Sequence, residues 1–506
     1  MSTIFPVTCG FDEVRAVYDH CARMAREAIS EEMLESTFEE VEGRINKQGQ
    51  ELMRLLLQGH LDIRAKREEL REAVIGKDGL IRDGVKEGCR RQLMSLFGEV
   101  VVTRIGYGKY GGQHLYPLDA ELNLPVRKYS GLLQRKVVEE IVNISYDQAM
   151  ASVKRATAGT VPKRQAEQIV VEIAQDFESF SKTCQANAAE NTEDLLILTT
   201  DGKGVVMRPE ALREPTRKAA AKDSHKLKTR LSQGEKRNRK RMATVASVYS
   251  IERQVRTAET IMKLQERPKQ AAPKPKNKRV WASLAREPRI VVDEMFQEAL
   301  QRDPGRKRQW ATLIDGSLTQ LQNVQDCIER YNLAGTILVL DFIHVLEYVW
   351  KAAYCFHAQG TKAAEDWVSK RALLILQGKS SSVASVMRRS ATNHGLSTKA
   401  REPIDQCADY LHRFKDMLRY DKFLALGLPI ATGVIEGACR YLVADRMDKT
   451  GARWGLAGGE SVLKLRALDT NGELDAYWKH YNSMAFEHNH AALYSDNTIP
   501  SLRRAA

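Results

Sequence analysis

The sequence predicts a mixed α/β domain that follows a mainly helical N-terminal region. After Asp194, apolar strand-like segments alternate with helical ones, which is typical of an α/β sheet domain. Before about Leu96, apolar residues recur at helical spacing within a highly charged segment. Hydrophobic residues make up 43% of the 506-residue chain, enough for the cores of roughly two to four domains. This composition excludes a mainly disordered or fibrous chain.

The region before the α/β domain divides into three predicted parts. Residues 1–96 are predicted to be helical, and residues 97–125 to form a short β-ribbon and linker, because a β-branched run at 100–105 precedes a Gly/Tyr-rich turn at 106–112. Residues 126–193 contain two helical patterns around a break at 157–160, the size of a helix-turn-helix. The second helix would present three polar side chains to a DNA groove: Lys163, Arg164 and Gln165. An ordinary helical hairpin is the equally weighted alternative.

Four strands are predicted in the α/β domain, at residues 195–200, 242–250, 310–314 and 336–340. The first part of this domain extends over residues 194–345, with a basic insertion at 213–241 and a linker at 264–287. Residues 346–430 are helical in character and predict an all-α insertion. Residues 431–506 would supply a final helix of the core and the C-terminal region.

The charge balance predicts a polyanionic partner. Lys and Arg number 78 against 65 Asp and Glu, a net charge of +13. Residues 213–241 alone hold twelve Lys and Arg against three acidic residues, so they are either a solvated loop or a phosphate-binding segment, and the second is favoured because they follow a strand that ends in an aspartate. The candidate DNA-binding side chains are those of Lys236, Arg237, Arg239, Lys240, Arg241, Arg440, Arg446 and Arg453.

The sequence favours an intracellular location without a membrane span. The eight cysteines include no C-x-x-C pair, and the first residues lack a secretory signal. The most apolar stretch, residues 336–356, carries four ionisable groups, which are too costly for a lipid span.

Acidic residues follow three of the predicted strands: Asp201, Asp315 and Asp341. Open α/β sheets bind ligands at the carboxyl ends of their strands, although Asp-Gly is also ordinary turn chemistry. A fourth acid, Glu436, opens a predicted helix. Carboxylates without a His/Cys cage suit magnesium better than zinc.

Several motifs together resemble bacterial insertion-sequence transposases of the ISKra-four family. They are DGKGVVM from Asp201, GEKRNRKRMATV from Gly234, DFIHVLEY from Asp341, and GVIEG from Gly433 followed by DRM from Asp445 and RW from Arg453. Their order and spacing match from about Leu115 to about Trp478.

The resemblance implies a ribonuclease-H-like domain with a DDE triad. In that fold the first acid ends the first strand, the second ends the fourth strand and the third lies on a later helix. Asp201 and Glu436 therefore correspond to the first and third acids, and counting strands makes Asp315 the second. The competing assignment makes Asp341 the second acid and Asp315 a turn residue. With Asp315 in the triad, Asp341 and His344 resemble an accessory Asp-x-x-His signature beside the active site, whereas a core histidine is the alternative for His344.

The resemblance further implies DNA strand cleavage and strand transfer at insertion-sequence ends with two Mg²⁺ or Mn²⁺ ions. Asp201 would bridge the ions, Asp315 would bind one and Glu436 the other. The expected partners are terminal inverted repeats, target DNA and further copies of the chain assembled on DNA, in the cytoplasm of a bacterium and at its nucleoid when bound. A nuclease or resolvase of the same fold, or a non-catalytic DNA-binding protein, would share most of these features.

Overall fold

The computed structural model of the chain describes residues 11–71, 73–186, 189–222, 227, 239–262 and 273–500. It divides into two compact units. The N-terminal unit consists of residues up to Phe177 together with those from Glu473 onward, and the central unit consists of Glu178–Gly472. The sequence pattern groups residues 431–506 with the α/β core. In the structure, the residues from Glu473 belong to the N-terminal unit instead.

Among its described residues, the N-terminal unit contains seven α-helices before Phe177 and one α-helix after Glu473. They are α1 (Phe11–Ala28), α2 (Glu31–Glu35), α3 (Phe38–Lys66), α4 (Pro117–Glu121), α5 (Gly131–Ile141), α6 (Tyr146–Ala156), α7 (Lys163–Ile173) and the C-terminal helix Leu474–Asn489. A capping box in which Ser145 and Gln148 exchange hydrogen bonds starts α6, and Pro162 precedes α7. The two helices on either side of residues 157–162 are thus present as predicted from the sequence pattern.

A two-stranded hairpin begins earlier than the sequence predicts. The short pair β1 (Val74–Ile75) and β2 (Ile81–Arg82) precedes it, and the hairpin itself joins β3 (Gly84–Ser95) to β4 (Gly98–Gly108). The predicted helical character of residues 84–95 is therefore wrong. The first half of β3 faces solvent and has one apolar aliphatic residue, Val85, so the sequence there lacks the apolar alternation that marks a strand.

The central unit is built around a five-stranded mixed sheet. Its strands are β5 (Leu195–Val206), β6 (Lys240–Ile251), β7 (Lys276–Ser283), β8 (Trp310–Ile314) and β9 (Ile337–Leu340). Their order in the sheet is β7-β6-β5-β8-β9. The first three strands pair antiparallel, whereas β8 and β9 run parallel to β5. The apolar start of β5 and all of β8 are buried, as expected for strands covered on both faces.

The strand β7 occupies the C-terminal part of the predicted linker at 264–287, and that prediction is wrong for residues 276–283. The strand lies at the edge of the sheet. Its first three residues, Lys276, Asn277 and Lys278, are exposed, and only the following five are buried. Charged residues on an edge strand deter pairing with other chains, but they also give this strand the composition of a linker.

In the described part of the chain, thirteen α-helices belong to the central unit or begin at its boundary. They are α8 (Phe177–Ala186), α9 (Glu214–Ala221), α10 (Ala258–Met262), α11 (Pro288–Arg302), α12 (Leu318–Arg330), α13 (Phe342–Ala353), α14 (Lys362–Leu376), α15 (Ser380–Asn393), α16 (Thr398–Arg413), α17 (Tyr420–Ala425), α18 (Gly433–Ala438), α19 (Asp445–Met447) and α20 (Leu456–Asn471). Helix α11 packs on β5 and β6, and α20 packs on β7. Residues 342–432, all of which the structure describes, contain helices and no strand.

Candidate active site

Three aspartates form a row across the sheet, two of them at the carboxyl ends of β8 and β9. Asp201 does not end its strand as the sequence predicts, because β5 continues to Val206 and pairs with β6 along its whole length. Thr199 of β5 pairs with Leu313 of β8, and Ile314 of β8 pairs with Leu340 of β9. The same registers, continued by one or two residues, align Asp201, Asp315 and Asp341. Adjacent strands are about 4.8 Å apart, so the sheet itself brings these three acids together.

Asp201 and Asp315 line one open cleft of about 250 Å³ together with Gln320. Both aspartates are half-buried. Gln320 fixes the backbone on the two sides of the cleft, because its Oε1 accepts the Asp315 N–H at 3.1 Å and its Nε2 donates to the carbonyl of Thr200. One oxygen of Asp315, Oδ1, accepts the N–H of Ser317 at 2.8 Å.

The turn after Asp315 depends on a glycine and a buried tyrosine. Gly316 has φ +92°, and a Cβ there would lie 2.5 Å from the hydroxyl oxygen of Tyr410. That hydroxyl donates to the carbonyl of Asp315 at 3.1 Å, and the Tyr410 ring stacks on Tyr348 with 4.1 Å between centroids. Helices α13 and α16 therefore support the end of β8, on which Asp315 stands.

Glu436 approaches the same row from a short helical segment. It lies on α18, is exposed, and is followed by a π-helical turn at Cys439–Ala444. The Cys439 thiol donates to Asp201 Oδ2 at 3.4 Å. Burial raises the pKa of the Cys439 thiol, and the nearby charges of Asp201 and Glu436 raise it further. The thiol is thus a neutral donor between the first and last acids of the predicted triad.

Asp341 is fully buried, and both of its oxygens accept hydrogen bonds. Oδ1 accepts the N–H of Ile343 at 2.9 Å and thereby caps α13. Oδ2 is 2.9 Å from Nδ1 of His344 and also accepts the hydroxyl of Thr432. Thr432 in turn lies 3.3 Å from Oε1 of Glu436. These contacts form a chain from His344 through Asp341 and Thr432 to Glu436.

The hydrogen bond to Asp341 raises the pKa of His344 to about 9, and the charges of Asp341, Asp315 and Glu347 act in the same direction against the effect of burial. His344 is therefore an imidazolium at neutral pH. Its side chain is 31% exposed, which leaves it accessible beside the acids. His344 is therefore not the core histidine that the sequence leaves open as the alternative.

The donor groups differ in their fitness for a metal ion. Asp341, His344 and Glu436 each offer one ligand atom within 4.8 Å of the others. Since the Asp341 and His344 atoms are bonded to each other, a shared ion would require that bond to break. Asp201 and Asp315 line one cleft, Glu436 is exposed, and hard divalent ions prefer carboxylate oxygens. Asp201 and Asp315 suit the predicted magnesium pair better than the hydrogen-bonded Asp341 does, but among the described residues Glu436 comes together with Asp341 and His344.

The predicted DNA-binding arginines of the central unit divide by exposure. Arg440, Lys240 and Arg453 are exposed. Arg446 is 2% exposed, and its guanidinium lies over the Trp454 ring at 4.9 Å. The prediction that Arg446 contacts DNA is therefore not supported, because its charge is enclosed within the unit.

Arg241 is also engaged within the central unit. It donates to the carbonyls of Leu284 at 2.7 Å, Ala211 at 3.1 Å and Ala285 at 3.3 Å. This guanidinium joins neighbouring loops to the start of β6, so a phosphate contact from Arg241 is not supported. Arg239 is half-buried. Lys236 and Arg237 lie outside the described residues.

In the N-terminal unit, the start of α7 presents the predicted groove-reading residues. Lys163 and Arg164 are exposed, and Gln165 is half-buried. Lys163 forms an ion pair with Asp147 of α6 at 2.8 Å, and Gln165 accepts from Arg127 at 3.4 Å. Arg164 is the one of the three without a side-chain partner among the described residues.

Sequence reasoning missed the polar neighbours that hold the acids: Thr432, Cys439, Gln320 and Tyr410. The signal available for two of them was proximity to Glu436 in the sequence, because Thr432 and Cys439 lie four residues before it and three after it. One helical turn on either side of a functional acid is where its supporting contacts are expected.

No protein-family model matches the chain, and the comparison with curated proteins finds no match. Among the residues that the structure describes, helices that are both long and apolar enough to cross a bilayer are absent.

Proposed function

We propose that the central unit is a ribonuclease-H-like catalytic domain and that the chain cleaves DNA at the ends of an insertion sequence and joins them to a target. One observation carries this proposal. Asp201 on the first strand and Asp315 after the fourth strand line one cleft, and Glu436 follows on a later helix with a contact chain to the same row. That is the order of acids implied by the resemblance to insertion-sequence transposases.

Asp201, Asp315 and Glu436 would hold the divalent ions, and Asp341 would not. Bound there, Mg²⁺ or Mn²⁺ supplies the Lewis acidity that phosphodiester attack by water or by a 3′-hydroxyl requires. Asp341 instead orients the ring of His344 and stabilises its protonated form through the 2.9 Å contact to Nδ1. The remaining nitrogen, Nε2, is then a charged donor suited to a phosphate oxygen of the DNA.

Exposed cations in each of the two units would bind the DNA backbone. Lys240, Arg440 and Arg453 are exposed in the central unit, and Arg164 is exposed at the start of α7 in the N-terminal unit. Contacts of this kind position DNA without reading its sequence, whereas a helix such as α7 can read base edges. The net charge of +13 agrees with a polyanionic substrate.

The test uses the full chain, a duplex with the inverted repeats that border the coding frame, and Mg²⁺. We expect nicking at the repeat end and joining to a target plasmid. Asp201→Ala should abolish both reactions and leave binding of the repeat unchanged, because this acid would hold the divalent ions and lies outside the predicted recognition helix. Asp326→Asn, an exposed aspartate of α12 bonded to Gln322, is the matched control and should react at the wild-type rate.

The choice of the second acid is tested in the same assay. Asp315→Asn should lose nicking and joining by several orders of magnitude, whereas Asp341→Asn should retain residual nicking because it removes a positioning group. An Asp315→Asn protein that joins strands at the full rate would overturn the assignment and favour Asp341 as the second acid.

Two other functions predict different products. A nuclease or resolvase of the same fold would nick the DNA in a metal-dependent way and release the ends without joining them. A non-catalytic DNA-binding protein would bind the repeat and leave it intact at every Mg²⁺ or Mn²⁺ concentration. The half-buried pair Asp201 and Asp315 in one open cleft favours a catalytic role over this last alternative.

A further inference from the structure

The hydroxyl of Thr432 lies between two acids of the candidate active site. Thr432 is 3% exposed and immediately precedes α18. Its Oγ1 donates to Oδ2 of Asp341 and lies 3.3 Å from Oε1 of Glu436. Its carbonyl oxygen accepts the backbone N–H groups of Ile435 at 2.9 Å and Glu436 at 3.0 Å. Thr432 therefore contacts Glu436 through both its backbone and its side chain.

The two carboxylates beside Thr432 differ in their freedom. Asp341 is fully buried and fixed by Ile343, His344 and Thr432. The Glu436 side chain is exposed, and Thr432 is its one side-chain hydrogen-bond partner among the described residues. A long exposed side chain loses rotamer entropy when a bound ligand orders it. A group that restricts the rotamers of Glu436 beforehand therefore increases the affinity of the site for that ligand.

We propose that Thr432 is the positioning residue for Glu436, linking the orientation of this acid to the fixed Asp341. The inference rests on the proposed function, because it assumes that Glu436 binds a divalent ion. A hydroxyl carries one proton, so Thr432 donates to Asp341 and Glu436 in turn. Donation to either acid keeps Oγ1 in the same place, because Asp341 cannot move, and the hydroxyl thereby limits the positions that Glu436 adopts.

The experiment measures Mn²⁺ affinity of the full chain by electron paramagnetic resonance, without DNA and without turnover. Thr432→Val keeps the shape and the backbone contacts of the residue but removes the hydroxyl, and we expect affinity at the site to fall about tenfold, as for loss of other groups that orient metal ligands. Thr432→Ser retains the hydroxyl and should stay within about twofold of the wild type.

A matched control is available within the same sheet. Thr199 of β5 is 1% exposed, and its hydroxyl has no hydrogen-bond partner in the described part of the chain. Thr199→Val makes the same chemical change at a buried threonine and should leave Mn²⁺ affinity unaltered. If Thr432→Val does not fold, Thr432→Ala removes the same hydroxyl without an added methyl group and provides the same comparison.

A double variant distinguishes a general destabilisation of the fold from a specific effect of Thr432 on the orientation of Glu436. In a Glu436→Gln background, the loss of the hydroxyl at position 432 should have no further effect on Mn²⁺ affinity, because the acid that it orients is already gone. A structural role would lower the affinity equally in both backgrounds and would overturn the inference. Wild-type affinity in Thr432→Val, or equal losses in Thr432→Val and Thr432→Ser, would overturn it as well.

Failure of the proposed function gives a different result. If the wild-type chain shows no saturable Mn²⁺ site, or if Asp201→Ala and Glu436→Gln bind Mn²⁺ as the wild type does, then the metal-binding acids are wrong and Thr432 has nothing to position. If these two variants lose affinity but Thr432→Val does not, the proposed function stands and only the role of Thr432 is refuted.

Discussion

The ion pair between Asp341 and His344 predicts a histidine that remains protonated well above neutral pH. Asp341 is fully buried and its carboxylate is 2.9 Å from Nδ1 of the ring. This hydrogen bond is the main cause that raises the pKa of His344 to about 9 from the ordinary 6.5. The perturbation that tests it is Asp341→Asn, which keeps the size of the side chain and removes its charge.

The contribution of this ion pair to the free energy of unfolding follows from the difference between the pKa of His344 in the folded chain and its ordinary value. A rise from 6.5 to about 9 corresponds to about 3 kcal/mol in favour of the protonated form. The side chain of His344 is 31% exposed, so solvent screening reduces the contribution to about 1.5 kcal/mol. Because the pKa is higher in the folded state, this stability is fully present below pH 6.5 and is lost as the pH rises through about 9.

The assay is a pH titration of histidine Cε1–H resonances by NMR with selective labelling. The chain has 11 histidines, and the His344→Gln variant assigns the relevant signal. We expect a midpoint near 9 in the wild type and a fall by more than one pH unit in Asp341→Asn. His490 is the internal reference, because burial lowers its pKa and Asp341→Asn should leave that value unchanged. A wild-type His344 midpoint between 6 and 7 would refute the reasoning.

Further variants probe the support of the site and the DNA contacts. Gly316→Ala places a Cβ 2.5 Å from Tyr410 Oη at φ +92° and should lower the free energy of unfolding by about 2 kcal/mol; an unchanged urea midpoint would contradict the strain. Arg446→Ala should lower the urea midpoint because the side chain is buried over Trp454, without changing the salt dependence of DNA binding. Arg453→Ala should leave the urea midpoint unchanged and reduce the slope of log affinity against log salt by about one, as fluorescence anisotropy would show.

The sheet was predictable from the sequence wherever its strands are apolar. The segments predicted at 195–200, 242–250, 310–314 and 336–340 all lie within or beside observed strands. Strands buried on both faces consist of nearly continuous apolar residues, which makes them recognisable in the sequence. The strand β7 escaped prediction since its exposed edge residues are Lys, Asn and Lys. The first strand of the hairpin escaped for the same reason, because its first half faces solvent.

Asp315 and Asp341 were predictable as residues that follow strands, whereas Asp201 lies within β5, and the individual environments of these acids were not predictable. No pattern in the sequence distinguishes Asp341, which is fully buried, from Asp315, which is half-buried in an open cleft. Asp341 is enclosed by residues distant in sequence, among them Thr432, whose hydroxyl donates to it. The same limitation applies to Arg446. Its charge predicts a DNA contact, but its guanidinium lies over the Trp454 ring.

The acids of the candidate site are held by two different physical means. Asp201 and Asp315 derive their positions mainly from backbone pairing of β5 and β8, with Gln320 and Tyr410 bonded to the backbone beside them. Glu436 stands on a six-residue helix that passes into a π-helical turn, and π-helical turns often occur at functional sites. Its placement therefore depends on local contacts, chiefly those of Thr432, and substitutions there should alter metal affinity while the sheet and its aspartates remain in place.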